Sequence, residues 1–289
     1  MEIVLVAGIN GLVWGLIYAL IAIGLSFIFG LLFIVNAAHG HLYMFAAFIV
    51  LMFLSYTSIN PWLALIIAVV GVTMFGMLLE RVVIKPIERQ ATATLVATFG
   101  VAIILEEVVR ATTRGLTYTI PAPIKGGVAL LGVYVSYPVY NFAVAGIAAI
   151  ALMGLWIFLA NTRLGLFTRA SQQDGELAMM MGIPVDKVYM ISMGLGTLLV
   201  ALAGTLVMPL IAFNHAVGLD ALMIAFIITI VGGMASLKGT FFAAFLIAEV
   251  ENLALVTPYF VPTTARLLTL AVLCVVLLVR PHGLFGVSR

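Results

Sequence analysis

Uncharged apolar runs recur along this chain and limit what it can fold into. Residues 3–29, 31–56, 61–79, 137–160, 188–219 and 267–279 contain no lysine, arginine, aspartate or glutamate. A helix crossing a bilayer needs about 20 mostly apolar residues, and several of these runs supply that or more. Only 8% of the 289 residues are charged, against about 25% in a soluble domain. A membrane barrel requires alternating apolar and polar positions, which stretches such as IIAVVGV do not have. The pattern predicts an all-α polytopic membrane protein.

Hydropathy places spans near 3–28, 31–56, 61–84, 93–110, 137–160, 188–212, 221–237, 240–257 and 264–280. These make nine, within an expected range of about 8–10 transmembrane helices. The third opens at Asn60-Pro61, a helix-start signal. Residues 110–136 are of mixed polarity, contain Pro121, Pro123, Gly126 and Gly127, and read as a surface loop. No linker or shift in composition divides the chain, so residues 1–289 read as a single domain. The opening MEIVLVAG has no basic region of the kind that precedes a cleaved signal segment, so the first span is expected to persist. The lone Cys274 excludes an internal disulfide and is expected to be a buried, inert thiol.

Basic residues orient the chain. Arg81, Lys85, Arg89, Arg163, Arg169, Lys187, Lys238, Arg280 and Arg289 fall on one side of this span pattern. Arg110, Arg114, Lys125 and Arg266 fall on the other. Nine against four predicts an outside N-terminus and a cytoplasmic C-terminus. A net charge of +2 is too small to argue for a nucleic-acid partner.

The cytoplasmic stretch RLGLFTRASQQDGELAMMMGIPVDK (163–187) stands out, with three basic and three acidic residues in so apolar a chain. Ser171-x-x-Asp174 resembles a capping box, helix formers follow, Gly182 suits a left-handed end position, and Pro184 blocks continuation. A short helix over 171–182 is predicted, with Leu177, Met180 and Met181 on one face as an adaptable apolar knob.

These residues resemble a family. Glu176-x-Ala178-x-x-x-Gly182 is similar to the coupling loop of ABC importer permeases, which docks into a cytoplasmic ATPase. Thr162-Arg163-Leu164-Gly165, Arg169-Ala170 and Gly182-Ile183 resemble the branched-chain amino acid permeases of the LivH type. So do Val35-Asn36-Ala37-Ala38-His39-Gly40, Glu80-Arg81-Val82-Val83, Gly232-Gly233-Met234-Ala235-Ser236 and the ending Val279-Arg280-Pro281-His282-Gly283-Leu284-Phe285-Gly286. The ordered set spans essentially the whole chain. Departures from the family pattern are Ala37 in place of Phe, His41 in place of an acidic residue, Leu237-Lys238 where a Pro is common, and Phe241-Phe242-Ala243-Ala244 where glycines recur.

The resemblance implies a permease subunit in a bacterial inner membrane, carrying branched-chain amino acids or a related small polar solute. It implies two cytoplasmic ABC ATPase subunits, a second LivM-like permease subunit and an extracytoplasmic solute-binding protein. ATP would be used by the partners, with no cofactor bound by this chain. The ATPase-coupling residues would be Arg169, Glu176, Leu177, Ala178, Met180, Met181 and Gly182.

Asn36, His39, His41 and Tyr43 are candidates for the translocation path, because polar groups at membrane depth are costly. A break at Asn36–Gly40 can expose backbone beside a cavity; the alternatives are the cytoplasmic end of a span, or hydrogen bonds to neighbouring helices. His39-x-His41 shows no third metal ligand. Glu251 and Arg266 are expected to pair near one membrane face. GGMASLKGT lacks the GK[ST] of a phosphate loop, and no hydrolase or protease motif occurs, so no catalytic residue is assigned. An ion-coupled secondary transporter is the alternative function, and an intramembrane enzyme a third.

Overall fold

The computed structural model describes residues 2–32, 34–87, 90–129, 136–257 and 261–286. In chain order the helices are α1 (Glu2–Leu32), α2 (His39–Tyr56), α3 (Pro61–Leu79), α4 (Ala91–Thr113), α5 (Val139–Asn161), α6 (Arg163–Gln173), α7 (Gly175–Met180), α8 (Val185–Val207), α9 (Val217–Gly232), α10 (Leu237–Ala254) and α11 (Pro262–Val279). A π-helical turn at Glu80–Ile84 and a 3-10 turn at Lys85–Ile87 extend α3. Every predicted apolar run holds a helix.

Among the described residues, six helices are long and apolar enough to cross a membrane singly, counting α3 with its extension. The other three runs behave differently. A helix the length of α9 rises about 24 Å, short of a hydrocarbon core of about 30 Å. It pairs with α10 across a bend of 118°, so the predicted spans 221–237 and 240–257 form a sharply angled couple. α11 contributes the shorter apolar stretch Thr264–Val279.

Local chemistry sets the helix starts. Asn60 accepts the Trp62 N–H at 2.9 Å, with Pro61 at the first helical position of α3. The bend between α9 and α10 is made by Gly233 and Ala235, both at positive φ, after which Ser236 caps α10 by accepting the Gly239 N–H. The GGMAS stretch is therefore a corner. The ending motif packs on that corner, Leu284 N–H donating to the Val231 carbonyl and Phe285 N–H to that of Gly232.

One predicted span starts later than expected. Residues 34–38 are not helical, and α2 begins only at His39 rather than at 31. Asn36 causes the break: its Oδ1 accepts the Ala38 N–H at 3.0 Å and its carbonyl accepts the His39 N–H at 3.2 Å. Thr98 Oγ1 of α4 accepts the Ala37 N–H at 3.1 Å. Irregular backbone is tolerated at membrane depth where protein encloses it, and Ile34, Asn36, Ala37 and Ala38 are all buried.

α1, α2 and α8 form the enclosed centre, whereas α3, α4 and α5 turn most of their surface outward. The two ends sort as the charges predict. At the basic end, Lys85 Nζ donates to Asp186 Oδ2 at 2.6 Å, and Gly30 packs near Gln172 and Ala235. At the opposite end the expected loop contains a small antiparallel ribbon, β1 (Gly127–Ala129) with β2 (Ser136–Pro138). Tyr137 fastens it to α1 by donating to Asn10 Oδ1 at 2.7 Å. Tyr118 and Phe213 exchange both backbone hydrogen bonds nearby. Arg89 and Arg289 lie outside the described residues. Cys274, expected to be buried, is exposed on the outer side of α11, where a small apolar thiol suits lipid as well as a core.

With Cys274 replaced by serine, a cysteine at Met180 should react with an impermeant maleimide only from the cytoplasmic side. A cysteine at Val128 should react only from the opposite side. Labelling of both from one side would refute this orientation.

Candidate functional site

The polar stretch that interrupts the apolar chain folds as two helices, not one. Thr162 caps α6 by accepting the Gly165 N–H at 2.9 Å. This places Ser171 inside α6, buried, rather than at a helix start. The N-cap of α7 is Asp174, whose Oδ1 accepts the Leu177 N–H at 2.9 Å. The predicted start at Ser171 is thus corrected to Asp174: once Thr162 starts a helix, Ser171 is committed to its interior.

The C-terminal end of α7 closes as the sequence predicts. Gly182 has φ of +82°, its N–H donates to the Met179 carbonyl at 3.0 Å, and the Ile183 N–H donates to that of Ala178 at 3.1 Å. These are the two hydrogen bonds of a Schellman ending. A Cβ on Gly182 would meet no neighbouring atom, so backbone conformation alone requires glycine there.

Leu177, Met179, Met180 and Met181 are 56%, 59%, 82% and 78% exposed, while Ala178 is buried. Glu176 is exposed beside them, and Arg169 is exposed on α6. Ala178 faces the bundle, and the residues around it offer a flexible apolar knob. A six-residue helix is marginal by itself. Its caps and its seat against α6 and α8 hold it.

The candidate path residues are buried, but they do not form one cluster. His39 Nε2 lies 3.0 Å from the Ile21 carbonyl of α1. Ile21 is roughly 16 Å along α1 from Leu32, which puts α2's first turn deep in the bundle. These residues therefore lie among the helices, partway along α1, and the side chains of Asn36, His39 and His41 bond to neighbouring helices. The Asn36 amide reaches Met193 Sδ of α8 at 3.9 Å. His41 Nε2 lies 3.2 Å from Glu106 Oε2 of α4. Tyr43 lines a cleft, together with Trp14, Tyr18, Asp220 and Arg266.

The expected Glu251–Arg266 pair is not formed. Arg266 Nη1 meets Asp220 Oδ1 at 2.8 Å. Glu251 accepts hydrogen bonds from Tyr18 at 2.7 Å and from Thr269 at 2.5 Å. Sequence reading passed over Trp14, Tyr18 and Asp220. Asp220 had a signal, because it is the first charged residue after a 32-residue uncharged run at 188–219. Among the described residues, no group of His, Cys, Asp and Glu is placed to hold a metal ion.

The family model for the permease component of branched-chain amino acid transport systems matches residues 8–277. The chain belongs to this family. It is 27% identical to the high-affinity branched-chain amino acid transport system permease protein LivH of Escherichia coli K12, covering 96% of this chain and 94% of that one. It is likewise 27% identical to BraD of Pseudomonas aeruginosa, with the same coverage. A probable LivH of Methanocaldococcus jannaschii is 26% identical over 96% of this chain and 91% of its own length. The solved PsaBC of Streptococcus pneumoniae shares the fold, with a TM-score of 0.52 at 17% identity, covering 92% of this chain and 89% of that chain. The chain is a multi-pass transport permease of this family, whose members work with ATPase and solute-binding partners.

Proposed function

We propose that this permease is the membrane subunit of an ABC importer that carries branched-chain amino acids or a closely related small solute across a bacterial inner membrane. It acts beside a second, LivM-like permease subunit. A solute-binding protein delivers the solute on the outer side, and two ATPase subunits dock on the cytoplasmic side. This chain binds no cofactor and performs no catalysis; ATP is consumed by its partners. Residues 1–289 act as one permease domain.

The observation that carries this reading is the α7 knob. Four large apolar side chains stand exposed at the basic end of the bundle, on a helix fixed by caps at both ends. An apolar protrusion in water stabilises nothing unless a partner covers it. In this reading Leu177, Met180 and Met181 enter an ATPase groove, Arg169 and Glu176 lie at its rim, and Ala178 and Gly182 fix the shape. Asn36 and His39 hold the break that gives α2 its deep start, Tyr43 faces the cleft outward of it, and His41 is held toward α4 by Glu106.

Membrane vesicles containing this chain, its sibling permease and the ATPases, supplied with the binding protein, should take up leucine only when ATP is supplied, and the isolated chain should hydrolyse none. Uptake driven by a proton or sodium gradient without ATP would instead establish an ion-coupled transporter.

A further inference from the structure

The cleft that Tyr43 lines lies among α1, α2, α9 and α11 and measures about 130 Å³. Both members of the Asp220–Arg266 pair open onto it, the arginine 54% and the aspartate 53% exposed. Trp14, Tyr18 and Tyr43 supply aromatic walls, with the Trp14 and Tyr18 ring centroids 5.7 Å apart. Ile21 and Ile224 add aliphatic surface.

Half-exposed charges on a membrane-embedded bundle do not face lipid, where they are costly; they face water or another subunit. An exposed ion pair also adds little to the stability of a fold. One positive and one negative group, side by side against aromatic and aliphatic walls, match a molecule that carries both charges on adjacent atoms and an apolar tail.

We propose that this cleft is a transit site for zwitterionic α-amino acids with apolar side chains. The α-ammonium meets Asp220, the α-carboxylate meets Arg266, and the side chain lies on the rings and Ile224. Admitting the solute exchanges one internal ion pair for two intermolecular ones, so binding is shallow. A transit site must release what it admits. Glu251 accepts from Tyr18 at the cleft wall through one oxygen and from Thr269 through the other. The site lies just outward of the break at 34–38, as Tyr43 is one turn into α2. This assignment rests on the reading that the importer carries amino acids.

The test uses the complete importer in proteoliposomes with its binding protein and leucine. Asp220→Asn and Arg266→Gln should each lower leucine uptake about ten-fold or more, the scale of losing a hydrogen bond to a charged group. ATP hydrolysis stimulated by the loaded binding protein should persist, and Asp220→Glu should keep most of the uptake. The exchanged pair, Asp220→Arg with Arg266→Asp, should stay impaired, because the reversed solute would turn its tail away from the walls. Wild-type uptake in the single variants overturns the site. So does parallel loss of uptake and ATP hydrolysis, and so does full recovery in the exchanged pair, which would make the residues a tie between helices. If the wild-type complex carries leucine and the variants are unaffected, the site alone fails. If the wild-type complex carries no branched-chain amino acid, the solute assignment fails and the site with it.

Discussion

Replacing Met180 and Met181 together by glutamate is expected to abolish solute uptake while the chain still inserts in the membrane. Both side chains are exposed, at 82% and 78%, and touch little of the bundle, so the fold should not register their loss. Surface changes of this kind usually shift stability by under about 0.5 kcal/mol. In the proposed docked complex the same positions would be enclosed. An unpaired charge buried at such a contact costs about 3–5 kcal/mol, a loss of about 100-fold or more in docking for each. Co-purification of the ATPase with wild-type and variant chains at matched membrane levels measures this. Gly182→Val should act in the same direction through shape, because a β-branched residue is strained at φ of +82°, whereas Gly182→Asn should be milder. Normal ATPase recovery and normal uptake by the double glutamate variant would show α7 to be a solvated connection with no docking role.

A second large effect should come from Gly40. A Cβ there would lie 2.2 Å from the Gly218 carbonyl oxygen and 2.6 Å from the Leu222 backbone nitrogen. Both obstacles are main-chain atoms of α9, so no rotamer change relieves the clash. Gly40→Val should force α2 and α9 apart. Overpacking costs about 1–3 kcal/mol where the surroundings can adjust, and here that is a lower bound. The expected result is a clearly lower melting temperature in detergent and loss of uptake. Gly146→Val, on the outward-turned α5 with no atom within 4 Å of the added Cβ, is the matched control and should melt like the wild type. Equal melting of the two variants would contradict the close approach of α2 and α9.

The legible part of this molecule is the part governed by local chemistry. Apolar runs located the helices, Asn60-Pro61 the start of α3, and Gly182-Ile183-Pro184 the end of α7. The delayed start of α2 was legible only in part: the polar cluster Asn36–Gly40 allows a break, but residues 31–35, LLFIV, are as apolar as any span and place the start at 31. A hydropathy window cannot see that Asn36 turns the backbone there. The start of α7 escaped for a related reason: Ser171 and Asp174 are both good caps, and the choice between them depends on where α6 begins. The ion pair at the cleft escaped because partner choice depends on helix rotation. Each residue advances about 100° around a helix, so Glu251 and Asp220 were equally available to Arg266 until the packing of α9, α10 and α11 was known. Burial of Asn36, His39, His41 and Tyr43 fits the cost of polar groups at depth, but their separate partners could not be read from spacing.

The short connection from α7 into α8 limits how a push can be absorbed. Only Met181 to Pro184 separate the two helices, with Gly182 and Ile183 hydrogen-bonded back to α7 and Lys187 and Val188 bonded to Pro184. There is no slack to take up a displacement. α8 then meets its neighbours through backbone: a Cβ on Gly196 would lie 2.9 Å from the Gly24 carbonyl of α1, and one on Gly204 2.1 Å from that of Tyr43. Contacts between main chains do not compress as long side chains can. In the proposed importer, a stroke delivered at the knob would pass directly into α8 and meet α1 and α2 at these close main-chain approaches.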